Sequence, residues 1–217
     1  MDYKLFNKRI ETIVERIRDI GGEISELTIG PPASQEKIEK CERQLDLILP
    51  KSFKKVLLEF SSEFNFRWFF PENYKLEGEF SEIFCGTPSW SLDFLKQIND
   101  GKNLSVEGLF SNPDDPYDKV WHNKLAFYEV GDGDCIAFDL IDHCDDAPVV
   151  YLSYGDGEGH GFKLGDNFID FIDKWSRIAF VGGEDWQWIT FTENPQSGFL
   201  PESKSANQFR NLLKLDI

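Results

Sequence analysis

A glycine-rich stretch with alternating acidic side chains is the pattern in this chain closest to a metal site. Residues 155–161 read Gly-Asp-Gly-Glu-Gly-His-Gly, and carboxylates at alternate positions bind calcium in EF-hand loops. Counted from Asp156, such a loop also needs an oxygen ligand at position 5 and a bidentate Glu at position 12, where this chain has His160 and Asn167. The Gly-Lys-Ser/Thr of a phosphate-binding loop is also missing. We therefore predict a glycine-rich turn between strands, without a metal ion.

The histidines and cysteines do not follow the spacing of a zinc site or of a nucleophilic enzyme. Cys135 and Cys144 are nine residues apart, His143 precedes Cys144, and no second pair of ligands follows, whereas zinc needs four ligands. The remaining histidines, His122 and His160, have no Gly-x-Ser-x-Gly nucleophile elbow to serve. Carboxylates are too numerous to single out an acid–base pair. The sequence therefore predicts no catalytic residue, no metal and no cofactor, and indicates a protein that is not an enzyme.

Acidic side chains are concentrated in the later part of the chain. The net charge is −16, yet the 11 basic and 11 acidic side chains of residues 1–60 balance. Such an acidic surface repels phosphate backbones and speeds encounter with basic proteins. We therefore predict a basic protein partner and no direct binding of nucleic acid, with solubility as the alternative explanation. Residues 125–162 have no Lys or Arg and contain nine carboxylates: Glu129, Asp132, Asp134, Asp139, Asp142, Asp145, Asp146, Asp156 and Glu158.

Three predicted strands position this acidic window. Alternating and apolar runs indicate strands over residues 125–130, 135–140 and 149–154, and Asp132-Gly133 is typical of a hairpin turn. Because the turns of a meander face solvent, we expect their carboxylates to be exposed. Trp186 follows Gly-Gly-Glu-Asp and is expected to be exposed as well. The candidate partner-binding residues are Asp132, Asp134, Asp145, Asp146, Asp156, Glu158 and Trp186.

Helical periodicity dominates both ends of the chain and indicates an α+β fold. A Leu-Pro step at Pro50 should separate two short helices, because proline cannot continue the first but suits the start of the second. Asp166 is expected to cap a later helix. Aromatic runs at 64–70 and 188–192 read as strands. The predicted helices cover residues 3–20, 38–60 in two parts, 91–98, 166–178 and 205–215.

The order of four motifs resembles the SUKH superfamily, the Smi/Knr-type proteins. Residues 47–60 read Leu-x-Leu-Pro-x-x-Phe-Lys-x-x-Leu-x-x-Phe. The Gly-Asp-Gly-Asp hairpin with its strand spans 127–140, the Pro-Val-Val-Tyr strand spans 148–152, and Asn-Phe-Ile-Asp-Phe-Ile follows at 167–172. The resemblance implies a single SUKH-like domain over 1–217, with a mainly antiparallel sheet flanked by helices. The stretch at about 71–120 would be an insertion, and the chain from about 183 a C-terminal extension.

Members of this superfamily are mostly bacterial immunity proteins that neutralise polymorphic toxins, and some eukaryotic members are regulatory interaction proteins. The resemblance therefore implies a non-catalytic immunity protein that binds a cognate toxin, a basic nuclease being one candidate. The alternative is an intracellular regulatory or scaffolding module without a toxin partner; an acidic metal-dependent hydrolase is a third possibility. The sequence has no run of 18 apolar residues and no secretory signal. We therefore expect a cytoplasmic protein that does not bind membranes.

Overall fold

A computed structural model describes residues 1–141 and 145–217. The α+β class predicted from the sequence is confirmed, but the strands form two antiparallel sheets rather than one. The helices of the described residues are α1 (Tyr3–Asp19), α2 (Gln35–Leu45), α3 (Lys51–Glu59), α4 (Leu95–Gly108), α5 (Asp118–Trp121), α6 (Phe168–Ser176), α7 (Asp185–Trp188) and α8 (Lys204–Leu213). The strands are β1 (Glu23–Ile29), β2 (Glu63–Phe69), β3 (Cys85–Gly86), β4 (Ser89–Ser91), β5 (Lys124–Glu129), β6 (Cys135–Asp139), β7 (Val149–Leu152) and β8 (Lys163–Gly165).

The two sheets differ in how their strands are connected. In the first sheet β2 is central, with β1 on one side and the short strands β3 and β4 both on the other. The second sheet is a simple meander in the order β5-β6-β7-β8. Consecutive strands of a meander run in opposite directions, so the β5–β6 turn and the β7–β8 loop lie at one end of the sheet. The β6–β7 turn lies at the other end.

The predicted helix pair forms as the sequence indicates. The Ser34 hydroxyl accepts a hydrogen bond from the Lys37 N–H at the start of α2, which satisfies one of the free amides of the first turn. Asp46 ends α2 in the left-handed region (φ 52°), and Pro50 immediately precedes α3. Phe53 of α3 is fully buried against aromatic rings of β5, β6 and α6: Phe127, Phe138 and Phe168.

Aromatic packing joins the two sheets and both ends of the chain in one main core. Phe6 of α1 packs edge-on against Phe180, which in turn contacts Phe66 of β2. Phe80, from the stretch expected to be an insertion, packs against Phe191 and Phe209 from the expected C-terminal extension. The second sheet is buried on its other face too, by a smaller cluster: Phe110, Trp121, Ala126, Cys135, Ala137, Val150 and Leu152.

Several predicted boundaries and one predicted strand are wrong. Residues 188–192 are not a strand: α7 ends at Trp188 and a 3₁₀ turn follows over Ile189–Phe191. The predicted helix at 91–98 begins late, because Ser89–Ser91 pairs with β2 as a strand and α4 starts at Leu95. The cap of α6 is Asn167, whose side chain accepts the Asp170 N–H; Asp166 instead pairs with the Lys163 ammonium.

Strands β1 and β8 were missed. In β1, alternate side chains are exposed and the others are only half-buried. Its sequence therefore has little of the alternation of apolar and polar residues that predicts a strand. Strand β8 has three residues, too few for a periodic signal. No helix in the described part of the chain combines the length and the apolar character needed to cross a membrane.

Candidate protein-binding surface

Three acidic segments meet at one end of the second sheet. They are the β5–β6 turn (131–134), the β7–β8 loop (153–162) and residues 183–186, and we call them together the acidic end. The turn is joined to the loop by the Tyr154 N–H, which donates to an Asp134 oxygen at 2.5 Å. The loop is joined to the third segment by the Gly159 N–H, which donates to Asp185 Oδ2 at 2.8 Å.

The exposed side chains of the acidic end include three of the predicted carboxylates. Asp132, Asp156 and Glu158 are all exposed, and Trp186 is 44 % exposed. The tight turn at Asp132-Gly133, with φ of 49° and 91°, is the predicted hairpin turn. Four of the seven candidate residues therefore face solvent on one part of the molecule.

Asp145 and Asp146 do not lie with them. They belong to the β6–β7 turn at the opposite end of the meander, where the Lys51 N–H donates to the Asp145 carbonyl. The Asp146 carboxylate accepts hydrogen bonds from the Ser52 N–H and hydroxyl at the start of α3. The sequence placed all the acidic turns together because it carries no information on which end each turn occupies.

Asp134 is buried, which corrects the expectation that every carboxylate of this turn is exposed. It is 9 % exposed, and its carboxylate accepts both the Tyr151 hydroxyl and the Tyr154 N–H. The residue is the last of the hairpin turn, and its side chain points inward, to the face on which Tyr151 lies. Asp134 therefore holds the acidic end together and is not available to a partner.

Replacing Asp134 with asparagine should lower the free energy of unfolding by about 1–2 kcal/mol. The amide oxygen can still accept the Tyr154 N–H, but the amide NH₂ cannot accept the Tyr151 hydroxyl. Asp132→Asn in the same turn is the control and should leave stability unchanged, because that side chain is exposed and asparagine tolerates positive φ. Urea unfolding of both variants measures the difference. Equal midpoints for the two variants would show that Asp134 is not the structural residue described here.

The buried centre of the acidic end is the Tyr151 hydroxyl. It donates to Asp134 and accepts the Asp185 N–H at 3.3 Å, and Glu184 Oε2 lies 3.4 Å away. Burial, then the hydrogen bond to Asp134, raises the pKa of Tyr151, so the phenol keeps its proton. Burial, then the charges of Asp134 and Asp132, raises the pKa of Glu184 to about 7. Glu184 therefore titrates near neutral pH.

The glycine-rich loop is packed by specific contacts. Its Gly157 and Gly159 leave no room for a side chain, since a Cβ at either would lie within 2.7 Å of Asp185 atoms. His160 Nδ1 accepts the Ser153 N–H at 3.0 Å, so Nε2 carries the proton and donates to the Tyr117 carbonyl at 3.1 Å. Burial lowers the pKa of His160 and favours this neutral form. These contacts fix the loop that presents Asp156 and Glu158.

Metal ligands are not grouped among the described residues, and two buried thiols are held in their protonated form. Within residues 1–141 and 145–217, no three His, Cys, Asp or Glu side chains are grouped as a metal site requires. His143 and Cys144, weighed above as zinc ligands, lie outside the described residues. Burial raises the pKa of Cys135 to about 12 and also raises that of Cys85, which disfavours thiolate chemistry. The acidic end therefore offers charge and aromatic contact.

Sequence reasoning missed four residues of this surface: Phe84, Tyr151, Glu184 and Asp185. Phe84 is 49 % exposed and stacks on Trp186, with ring centroids 5.8 Å apart. It immediately precedes β3, a strand of two residues that is too short to give a periodic signal in the sequence. The Gly-Gly-Glu-Asp-Trp run was a usable signal for Glu184 and Asp185, because it pairs a turn with two carboxylates and an aromatic residue.

The comparison with known proteins identifies a family. No curated protein matches the chain. Residues 32–174 match the SMI1/KNR4 family (SUKH-1), and this range is about two thirds of the chain. It includes the helix pair, the whole second sheet and most of the asparagine-capped helix α6, which carry the motifs quoted above. On this match, the protein belongs to the SMI1/KNR4 family (SUKH-1).

Proposed function

We propose that this protein is a non-catalytic immunity protein that binds and neutralises a cognate bacterial toxin through its acidic end. The observation that carries the proposal is the convergence of three acidic segments, separated by up to 50 residues in sequence, on one exposed surface. Family membership supports it, because such proteins are generally immunity proteins. The toxin would be met in the cytoplasm of the producing cell.

Charge supports a basic partner. The exposed carboxylates Asp132, Asp156 and Glu158 lie in a window without a Lys or Arg, residues 125–162. The third segment belongs to another stretch without a basic residue, 178–203. The field of such a surface accelerates encounter with a positively charged protein. A basic nuclease fits this requirement, because its cleft is built for phosphates and carboxylates would occupy the same positions.

Neutralisation by occlusion needs a rigid surface and no reacting group. The acidic end is fixed by hydrogen bonds at Asp134, Tyr151 and Asp185. A preorganised surface loses little conformational entropy on binding, which favours tight complexes. Both ring nitrogens of His160 are engaged, Nδ1 by the Ser153 N–H and Nε2 by the Tyr117 carbonyl, so His160 is not available as a general base. These features favour a binding protein over an enzyme.

Neutralising the exposed carboxylates should slow association with the toxin. The variant combines Asp132→Asn, Asp156→Asn and Glu158→Gln, and its partner is the toxin encoded beside this gene. We expect the association rate at low salt to fall roughly tenfold or more, with a weaker dependence on ionic strength. Stability should change little, since the three side chains are exposed.

The matched control removes the same charge elsewhere, with Glu11→Gln, Glu15→Gln and Asp145→Asn, all of which are exposed. Stopped-flow association at several salt concentrations compares both variants with the wild type. If the two variants give equal rates and slopes, the interface is not the acidic end. The absence of a toxin gene beside this one, and of toxin protection on co-expression, would favour the regulatory alternative.

A further inference from the structure

A stacked pair of exposed rings borders the acidic end, with Trp186 from its third segment and Phe84 from the residue before β3. Phe84 and Trp186 are 49 % and 44 % exposed, and their planes are inclined by 22°. The two segments are tied beneath the rings by Gln187, whose amide contacts the buried Cys85 thiol at 3.4 Å. The backbone N–H of Trp186 also donates to Asp185 Oδ1 at 2.8 Å, which fixes the main chain that carries the indole ring. The pair is therefore a firmly supported aromatic platform that faces solvent.

The two segments that carry the platform contain no cation. Residues 76–95 and 178–203 have no Lys or Arg, so neither segment supplies a basic side chain of its own to cover the rings. Each ring has a carboxylate close to it in sequence: the exposed Glu82 lies two residues before Phe84, and the half-buried Glu184 lies two residues before Trp186. An aromatic face with carboxylates beside it attracts a cation through both the ring quadrupole and charge.

We infer that the Phe84–Trp186 platform and the Glu184 carboxyl form a receptor for one cationic side chain of the partner protein, with arginine preferred over lysine. This inference rests on the proposed function and specifies the chemistry of the partner. A guanidinium is planar and stacks on an aromatic ring while its N–H groups pair with a carboxylate, whereas an ammonium cannot do both in this way. The partner would insert a single exposed arginine at this point.

The Glu184 carboxyl is the group of this receptor that gains or loses a proton near neutral pH. The Tyr151 hydroxyl has one hydrogen, which it gives to Asp134, while Glu184 Oε2 is 3.4 Å from the same oxygen. This contact with Tyr151 favours the Glu184 carboxylate and partly offsets the effect of burial on the pKa of Glu184. The other groups that face Glu184 are the carboxylates of Asp132, Asp134 and Asp185, and all of them favour the protonated form.

A bound guanidinium reverses this balance. It favours the Glu184 carboxylate, so the proton should leave as the arginine binds. Because the pKa of Glu184 in the free protein is about 7, affinity should rise between pH 6 and pH 8, by up to about tenfold. Below this pH range Glu184 is a neutral acid in the free protein, and above it Glu184 is already a carboxylate, so affinity should change little outside the range.

The test uses a tetra-arginine peptide as the probe and the intact protein. The indole N–H signal of Trp186 in a ¹⁵N correlation spectrum, assigned with Trp186→Phe, is followed during titration at pH 6 and pH 8 in 150 mM salt. We expect saturable shifts with tighter binding at pH 8, weaker binding by tetra-lysine, and none by a tetra-citrulline peptide. Glu184→Gln should weaken binding and abolish its pH dependence, and Phe84→Ala should weaken it several-fold.

Phe94→Ala is the matched control, because Phe94, the residue before α4, carries a ring that is 54 % exposed and should not affect the titration. An unmoved Trp186 signal at saturating peptide, or equal binding by citrulline, would overturn the receptor. Its failure is separate from that of the proposed function. Toxin association that depends on Asp132, Asp156 and Glu158 but not on Trp186 would retain the immunity role and remove the receptor.

Discussion

Leu57→Ala is expected to lower the free energy of unfolding by roughly 2–5 kcal/mol, measured by urea denaturation. Leu57 is fully buried on α3, the helix that packs against α6 and, through Phe53, against the second sheet. Truncation removes the transfer free energy of three carbon atoms and leaves a cavity that a core of rigid aromatic rings fills poorly. The range reflects how far those neighbours can relax.

The control is Leu104→Ala on α4, which deletes the same atoms from a helix where the side chain is 69 % exposed. Its expected effect is within about 0.5 kcal/mol, since surface substitutions rarely exceed this. A Leu57→Ala variant as stable as the control would show that α3 is not packed in the core as described.

Lys102→Met is expected to stabilise the protein by roughly 2–3 kcal/mol at pH 7. Lys102 lies on α4 with 5 % of its surface exposed and makes no ion pair with the described residues. Its ammonium donates to Asn103 Oδ1 at 2.5 Å. Burial is the main cause that lowers the pKa of Lys102 to about 8, and the nearby positive charge of Lys124 also lowers it. Methionine keeps the length of the side chain and needs no hydration.

The pH dependence gives the sign of this effect. An unfolded lysine binds its proton up to about pH 10.4, whereas the folded Lys102 releases it near pH 8. The unfolded state binds more protons between these values, so wild-type stability should rise with pH there relative to the variant. The stability difference between the two proteins should therefore be largest below pH 8 and shrink towards pH 10.

Lys96→Met on the same helix is the control, because Lys96 is exposed and its ion-pair partner is Asp100, one turn away. Its effect should be a few tenths of a kcal/mol and should not change between pH 7 and pH 10. If Lys102→Met destabilises the protein, or if the difference is independent of pH, the Lys102 ammonium is hydrated or paired in solution.

The sequence alone determined the local elements with strong periodicity and clear boundaries. The helix pair around Pro50 follows from the ring's fixed geometry and from apolar positions on one face of each helix. The hairpin at Asp132-Gly133 follows from the tolerance of these residues for positive φ. The order of these motifs also identified the family. Elements with weak or short patterns, such as β1, β8 and α7, were missed or misassigned, because their conformation depends on what they pack against.

Only the tertiary structure decided which acidic residues share a surface. Pairing within the meander brings Asp132, Asp156 and Glu158 together, and it sends Asp145 and Asp146 to the other end of the sheet. The inward direction of Asp134 depends on the partner that Tyr151 supplies from a strand 17 residues away. Glu184 and Phe84 join the surface across 100 residues of sequence. Composition fixes how much charge a chain has, but distance and burial set what each charge can do, and both are properties of the fold.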